Sequence, residues 1–224
     1  MSAKPAFLFD LDGTLIDSVY HHVLSWAEAL RAEGINVPIW RIHRRIGMSG
    51  GLFSQALMRE SGASLDEALQ TRLSQRHADA FKTRIGAIQP LPGAELLLRH
   101  LNGCGIPWAI ATSGLMETAL PLIEKLGLPV DEMTIVTRDQ VAFAKPNPDL
   151  FIEAARRLDC PTAECFVVGD SIWDLLAAQR AAALGVGMLS GGYGEEELVR
   201  AGAFRIFAEP TSLLNGLFEL GIRS

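Results

Sequence analysis

The sequence predicts an α/β fold, a Rossmann-like parallel sheet core with an inserted all-α helical cap, on three observations. Residues 6–10 (AFLFD), 106–112 (IPWAIAT) and 165–170 (CFVVGD) are short apolar runs that each stop at an acid or a hydroxyl, the pattern of strands buried on both faces of a parallel sheet. Segments with helical spacing lie between and after the later runs, and such alternation implies right-handed crossovers. From residue 19 to residue 89 the alternation stops, and the apolar positions keep helical spacing throughout.

The first strand is residues 6–10. Val19, Val23, Trp26, Ala27 and Leu30 then trace a helix stopped by Gly34, and Ile39, Ile42 and Ile46 a second stopped by Gly47. Phe53, Ala56 and Leu57 trace a third, stopped by Gly62, and Leu65, Leu69, Leu73 and Ala80 a fourth. A crossover this long exceeds the usual strand-helix-strand link, so it reads as a separate unit. The expected division is residues 1–17 and 90–224 for the Rossmann-like core and 18–89 for the cap, with hinges near 16–18 and 87–92. Beyond the second hinge, Leu96, Leu97, His100 and Leu101 share a helix that opens after Pro92-Gly93. After the strand at 106–112, Leu120, Ile123 and Leu126 form a helix ending at Gly127. Leu150, Phe151, Ala154 and Leu158 follow Pro148 in another, and Leu175, Ala178 and Ala182 belong to one that ends at Gly185. Weaker strands at 133–136, 186–189 and 205–207 extend the sheet.

Composition narrows the function. The 224 residues are 49% hydrophobic and 21% charged, with 21 Gly and 11 Pro, which excludes a disordered, collagen-like or low-complexity chain. Twenty-six acids against 20 Lys and Arg give a net charge of -6, a field that repels nucleic-acid phosphates and anionic lipid. Cys104, Cys160 and Cys165 cannot all pair and have no zinc spacing, so they read as reduced thiols. Residues 1–10 lack the apolar run of a secretory leader, and no stretch approaches the ~18 consecutive apolar residues of a membrane span. The expectation is a soluble cytoplasmic protein, monomer or homodimer, with no nucleic-acid or membrane partner.

The acids sit where strands stop. Ligands of an open parallel sheet bind beyond the carboxyl ends of its strands, and Asp10, Thr112 and Asp170 each close a predicted strand. Asp10 and Asp12 are two apart, so in extended backbone they project to one side while Leu11 turns into the core, and Gly13 lets the chain turn away. Two carboxylates in one pocket require a cation or a shared proton. A hard divalent ion meets that need, and Asp170 with Asp174 supplies further oxygen ligands. With a helix starting near Ser171, Asp174 also falls in its first turn, where the helix dipole favours negative charge. Lys145 lies in a loop stiffened by Pro146 and Pro148, positioned to hold an anion to which Thr112 and Ser113 add hydroxyl and backbone donors.

Taken in order and spacing, Asp10-Leu-Asp12-Gly-Thr14, Thr112 after an apolar strand, Lys145-Pro, and Gly169-Asp170-Ser171 with Asp174 resemble the four motifs of the haloacid dehalogenase superfamily, phosphatase branch. The resemblance spans nearly the whole chain, and the helical insert resembles the small cap of the phosphoglycolate phosphatase and β-phosphoglucomutase-like group. It implies a phosphoric monoester hydrolase that uses Mg2+ and acts on a small-molecule phosphate ester through an aspartyl-phosphate. By resemblance, Asp10 is the nucleophile and Asp12 the acid that protonates the leaving oxygen and then activates water. Mg2+ would be held by the Asp10 carboxylate, the Asp12 carbonyl, Asp170 and, directly or through water, Asp174, while Thr112 and Lys145 bind the phosphoryl oxygens.

Other features compete with that reading. Residues 47–51 (GMSGG) fit the G-x-S-x-G serine-hydrolase elbow, which requires a buried strand before the Ser. Arg41, His43, Arg44 and Arg45 instead fall at helical intervals there, so a glycine-rich turn between cap helices is expected, and the arginines read as a solvated face. Gly185-Val-Gly187 reaches Ser190 where a dinucleotide fingerprint needs Gly. His22 has two readings: a half-buried helix residue, or, as in the resembling mutases, a His that couples cap closure to chemistry. His21, His43, His77 and His100 show no ligand pairing.

A phosphosugar mutase is the alternative, and a non-catalytic phosphate-binding regulator a more distant one. The mutases tend to have Val where this chain has Thr14, and a cap Arg for the second phosphate where it has Gly50. A dehalogenase has no use for Asp12, and a regulator none for the complete set of acids with Lys145. The cap turn at 48–53, with Ser49 and Gly50, is expected to face the site and choose a small, weakly charged or apolar leaving group.

Overall fold

Six strands form one parallel sheet in a computed structural model that describes residues 5–61 and 66–222, the side chains of 60 and 61 excepted. They are β1 (Ala6–Phe9), β2 (Trp108–Ala111), β3 (Thr134–Val136), β4 (Cys165–Gly169), β5 (Leu184–Met188) and β6 (Ala203–Phe207), in the order β3-β2-β1-β4-β5-β6. Phe9 pairs with Ile110 on one side and Val168 on the other, so β1 is central and β1, β2 and β4 end at one level. That edge is where an open α/β sheet binds its ligands.

The uninterrupted apolar runs follow from burial on both faces. Phe7 and Phe9 point into a cluster with Ile110, Val168, Leu97 and Leu122, while Ala6 and Leu8 point into the opposite one with Ala109, Val167 and Phe151. After the insertion, α5 (Ala94–Gly103), α6 (Met116–Ile123), α7 (Asp149–Arg157), α8 (Ile172–Arg180) and α9 (Glu195–Arg200) complete the crossovers, and α10 (Pro210–Asn215) follows the last strand, while four more helices make up the insertion. These four are α1 (Val19–Ala32), α2 (Ile39–His43), α3 (Gly50–Ser61) and α4 (Glu67–Lys82), all between β1 and β2.

The insertion has its own apolar cluster, with Val23, Trp26, Leu30, Ile42, Phe53, Leu57 and Leu73 at its centre. Its two connections to the sheet run side by side: Asp17 N–H donates to Gln89 O at 3.0 Å, Leu91 N–H to Leu15 O at 2.9 Å, and Ile16 bridges Pro90.

Three details differ from expectation. Gly185 does not stop a helix; α8 ends at Arg180 and Gly185 lies in β5, where a Cβ would come within 2.8 Å of Leu175. In α5 the buried positions are Ala94, Leu97, Leu98 and Leu101, whereas Leu96 is exposed, because the sheet takes a stripe rotated by one residue. The second insertion helix ends at His43, short of Ile46 and Gly47. The Gly62 stop and Leu65 lie outside the described residues.

Insertion and sheet also meet through side chains. The arginine row is not simply a solvated face: Arg44 pairs with Glu197 of α9 and stacks 4.1 Å from the Tyr193 ring, whose hydroxyl donates to Arg44 O at 2.9 Å. His43 Nε2 bonds Gly191 O at 2.8 Å. The Arg44–Glu197 pair is partly solvated, so its loss costs little, unlike a hole in the core. In urea unfolding, Arg44→Ala should lower stability by about 1 kcal/mol and Leu97→Ala, fully buried, by about 2–5 kcal/mol. Equal losses would contradict this division.

Candidate active site

Lys145 is the hub. It is fully buried, its Nζ contacts Asp10 Oδ1, and it lies 2.8 Å from Asp174 Oδ1. Carboxylate oxygens of Asp10, Asp170 and Asp174 all lie within 4.8 Å of one another. Asp10 reaches this place as the residue after β1, its N–H donating to Val168 O at 2.8 Å, and Asp170 as the residue after β4. Asp174 arrives from α8, where Ser171 is the N-cap: Ser171 N–H and Oγ–H both donate to Asp174 Oδ2, at 3.1 and 2.5 Å. The cap and the cluster are thus one arrangement, since Oδ2 closes the helix end and Oδ1 faces Lys145. Gly13, at φ +81°, permits the turn after β1, and any Cβ there would come within 2.7 Å of the Asp170 carboxylate. Thr14 Oγ1 donates to Asp170 Oδ1 at 3.4 Å.

Burial among like charges shows in the protonation. Burial pushes Asp10 up to about 7 from its ordinary 3.8; Lys145 opposes the rise, and Asp174 and Asp12 add to it. Asp170 is held well above the carboxylate range by burial, Asp174 and Asp10. For Lys145 burial disfavours the charge, but Asp10 and Asp174 outweigh it and raise the ammonium above its usual value.

Asp12, two residues on, goes the other way. Burial works against its charge, yet His22 and Ser18 hold it below the usual value. Ser18 Oγ–H donates to Asp12 Oδ1 at 2.5 Å, and His22 Nε2 lies 3.1 Å from the same oxygen. His22 is thus brought to the Asp12 carboxylate from α1, with its ring 3.8 Å from that of Phe81. Its Nδ1 lies 3.1 Å from His77 Nε2 on α4, and His77 stacks on Trp26 at 4.2 Å. Burial, then the neighbouring His22, keeps the His77 pKa well below its ordinary value.

Thr112 is buried after β2, where its hydroxyl accepts from Gly114 N–H at 3.0 Å and keeps its own proton to donate. Ser113 does something the sequence did not suggest: its hydroxyl donates to Gly47 O at 3.0 Å, tying the sheet to the insertion's glycine turn. Ser49 is buried and its N–H donates to Lys145 O at 3.0 Å. Gly50 opens α3 and lines the cavity beside Asp10 and Asp12. No strand precedes Ser49; α2 and a turn do, so the serine elbow is absent. The cavity, about 280 Å³, is walled by Trp26, Ile46, Met48 and Phe53 of the insertion and by Thr112, Leu115 and Arg138 of the sheet side.

The donor set suits a hard cation. The three carboxylates offer only oxygen, and buried Asp174 Oδ1 has the Lys145 ammonium, 2.8 Å away, as its neighbour. Sequence reasoning missed Ser18 and Arg138, the contact of Thr14 with Asp170 and the pairing of His77 with His22. Ser18 and Thr14 had a signal, being hydroxyls beside the acidic motif; His77 and Arg138 had none, because only tertiary packing brings them here.

Because Asp10 holds its proton more tightly folded than unfolded, its contribution to stability falls as pH rises from about 4 to about 7 and stays lost above that. Asp10→Asn removes the effect. With chelator present, the variant's unfolding free energy relative to the parent protein should therefore rise across that window; a flat difference would contradict the assignment.

Comparison with known proteins gives a consistent result. Residues 4–182 match the family described as haloacid dehalogenase-like hydrolase. The crystal structure of a hydrolase from Pseudomonas syringae superposes with a TM-score of 0.95 at 51% identity, covering 97% of this chain and 99% of that one. Hexitol phosphatase A of Escherichia coli is 38% identical over 167 residues, 74% of each chain. Phosphoglycolate phosphatase of Agrobacterium fabrum is 29% identical over 218 residues, 96% of this chain and 93% of the relative.

Proposed function

The chain belongs to the haloacid dehalogenase-like hydrolases and is a phosphatase, and on that premise we propose that it hydrolyses a small-molecule phosphate monoester with Mg2+ through an aspartyl-phosphate on Asp10. The observation that carries this reading is the buried Lys145 in contact with both Asp10 and Asp174, with Asp170 in the same cluster. It is a nucleophile, a fixed cation and an oxygen ligand set in one place.

Asp10, Asp170, Asp174 and the Asp12 carbonyl would hold Mg2+, which supplies charge neutralisation between the carboxylates and the phosphoryl oxygens. Lys145 and the Thr112 hydroxyl, with backbone N–H groups of the 112–114 turn, orient the phosphoryl group. An Asp10 carboxylate oxygen attacks phosphorus, the bond to the leaving oxygen breaks, and Asp12 gives that oxygen a proton. Asp12 must carry a proton to do this, and the proton it takes from water in the second step leaves it ready for the next turnover, with Ser18 Oγ and His22 Nε2 holding its carboxylate in place. Water then attacks the aspartyl-phosphate, Asp12 takes its proton, and the bond from phosphorus to Asp10 breaks to release phosphate. Residues 18–89 act as a cap, closing the cavity from above and excluding water. On the insertion side Gly50, at the cavity wall, stands where the resembling mutases carry an Arg, and this favours phosphatase over mutase.

Two measurements test the scheme. Chelation should abolish phosphate release and Mg2+ restore it; full activity after verified metal removal would contradict it. With an aryl phosphate, whose leaving oxygen needs no proton, Asp12→Asn should accumulate phosphoenzyme on Asp10 detectable by mass spectrometry, and Asp10→Asn should form none. A phosphoenzyme in the Asp10→Asn protein would overturn the nucleophile assignment.

A further inference from the structure

Arg138 stands in the cavity without a task in the chemistry above. Among the described residues it is the one Lys or Arg that lines the cavity, and it has no ion-pair partner there. Its position is fixed: Arg138 N–H donates to Gly114 O at 2.9 Å, and Nη1 donates to Val141 O at 3.0 Å. The adjacent Asp139 accepts from Met116 N–H at 3.2 Å and Thr137 Oγ1 at 2.8 Å and makes no ion pair with Arg138, whose charge it feels without contact.

The sheet sets where that charge acts. Arg138 follows β3, which is two strands from β1, so at about 4.8 Å per strand its backbone lies roughly 10 Å across the sheet from Asp10. Held by Val141 O and, through its backbone, by Gly114 O, the guanidinium lines the cavity beside the 112–114 turn and outside the Asp10 ion pair. The rest of the lining mixes apolar side chains, among them Leu115, Ile46, Trp26 and Phe53, with the hydroxyls of Ser74, Ser113 and Thr118, none of which carries a positive charge. In a chain of net charge -6 and beside four carboxylates, a second anion would be repelled unless a fixed cation received it.

Resting on the phosphatase reading, we propose that Arg138 determines specificity by receiving an anionic oxygen group, a carboxylate or a second phosphate, on the leaving group of the substrate. Its planar fork suits either anion, with Nε and Nη2 free to donate.

The test compares kcat/KM for 2-phosphoglycolate, ethane-1,2-diyl bisphosphate, 2-hydroxyethyl phosphate and 4-nitrophenyl phosphate in the parent protein, Arg138→Gln and Arg138→Lys. The parent should favour one anionic ester over the hydroxyethyl ester by tenfold or more, and which of the two it favours separates carboxylate from phosphate. Arg138→Gln should lose about 30-fold or more on that ester and under about 3-fold on the neutral ones, with Arg138→Lys recovering part of the loss. An equal loss on all four esters, or a parent enzyme that cleaves the neutral esters as well as the anionic ones, overturns the inference and leaves the phosphatase reading standing. A parent protein inert even on 4-nitrophenyl phosphate overturns the phosphatase reading itself.

Discussion

The burial of Lys145 against Asp10 and Asp174 is the constraint on which the rest of the site depends. Carboxylates at the ends of adjacent strands cannot share a dry pocket unless cations hold them there. The chain answers with a fully buried ammonium on a loop stiffened by Pro146 and Pro148, anchored further where Lys145 O accepts from Ser49 N–H. Breaking the lysine from this cluster would leave uncompensated buried charge, so its loop, the N-cap of α8 and the turn at Gly13 form one structural unit.

The two acids of the first motif illustrate how environment assigns roles. Asp10 is surrounded by other carboxylates and is pushed up to about 7 by burial, whereas Asp12 is drawn down by His22 and Ser18 against the same burial. Titratable groups whose surroundings move them apart are the usual mark of divided labour in a site. In the proposed scheme Asp10 takes its charge when a cation and phosphoryl group arrive, and Asp12 is the partner that moves protons. Its partner His22 belongs to the insertion, so the chemistry of the sheet and the placement of the helices are coupled through one side chain.

Much of this was legible in the sequence because the physics is local. A strand buried on both faces must be apolar along its length, so an acid at its end stands out, as Asp10 and Asp170 do. The i, i+4 spacing of Asp170 and Asp174 placed the second acid on the first turn of a helix, and both of its readings hold together, as helix cap and as cluster member. What was not legible depends on pairs far apart in sequence. Ser113 bonds Gly47, Arg44 meets Glu197, and His77 meets His22 only because the insertion packs onto the sheet. Gly185 was misplaced because a glycine needed for close helix packing within a strand looks, in sequence, like a glycine that stops a helix.

Whether the carboxylate cluster binds a cation is open to anomalous scattering from crystals grown with Mn2+ in place of Mg2+. One manganese peak is expected, bonded to carboxylate oxygens of Asp10 and Asp170, with Lys145 still in contact with Asp10. A protein that binds no manganese there at millimolar concentration, or binds it elsewhere, would contradict the proposed cation site.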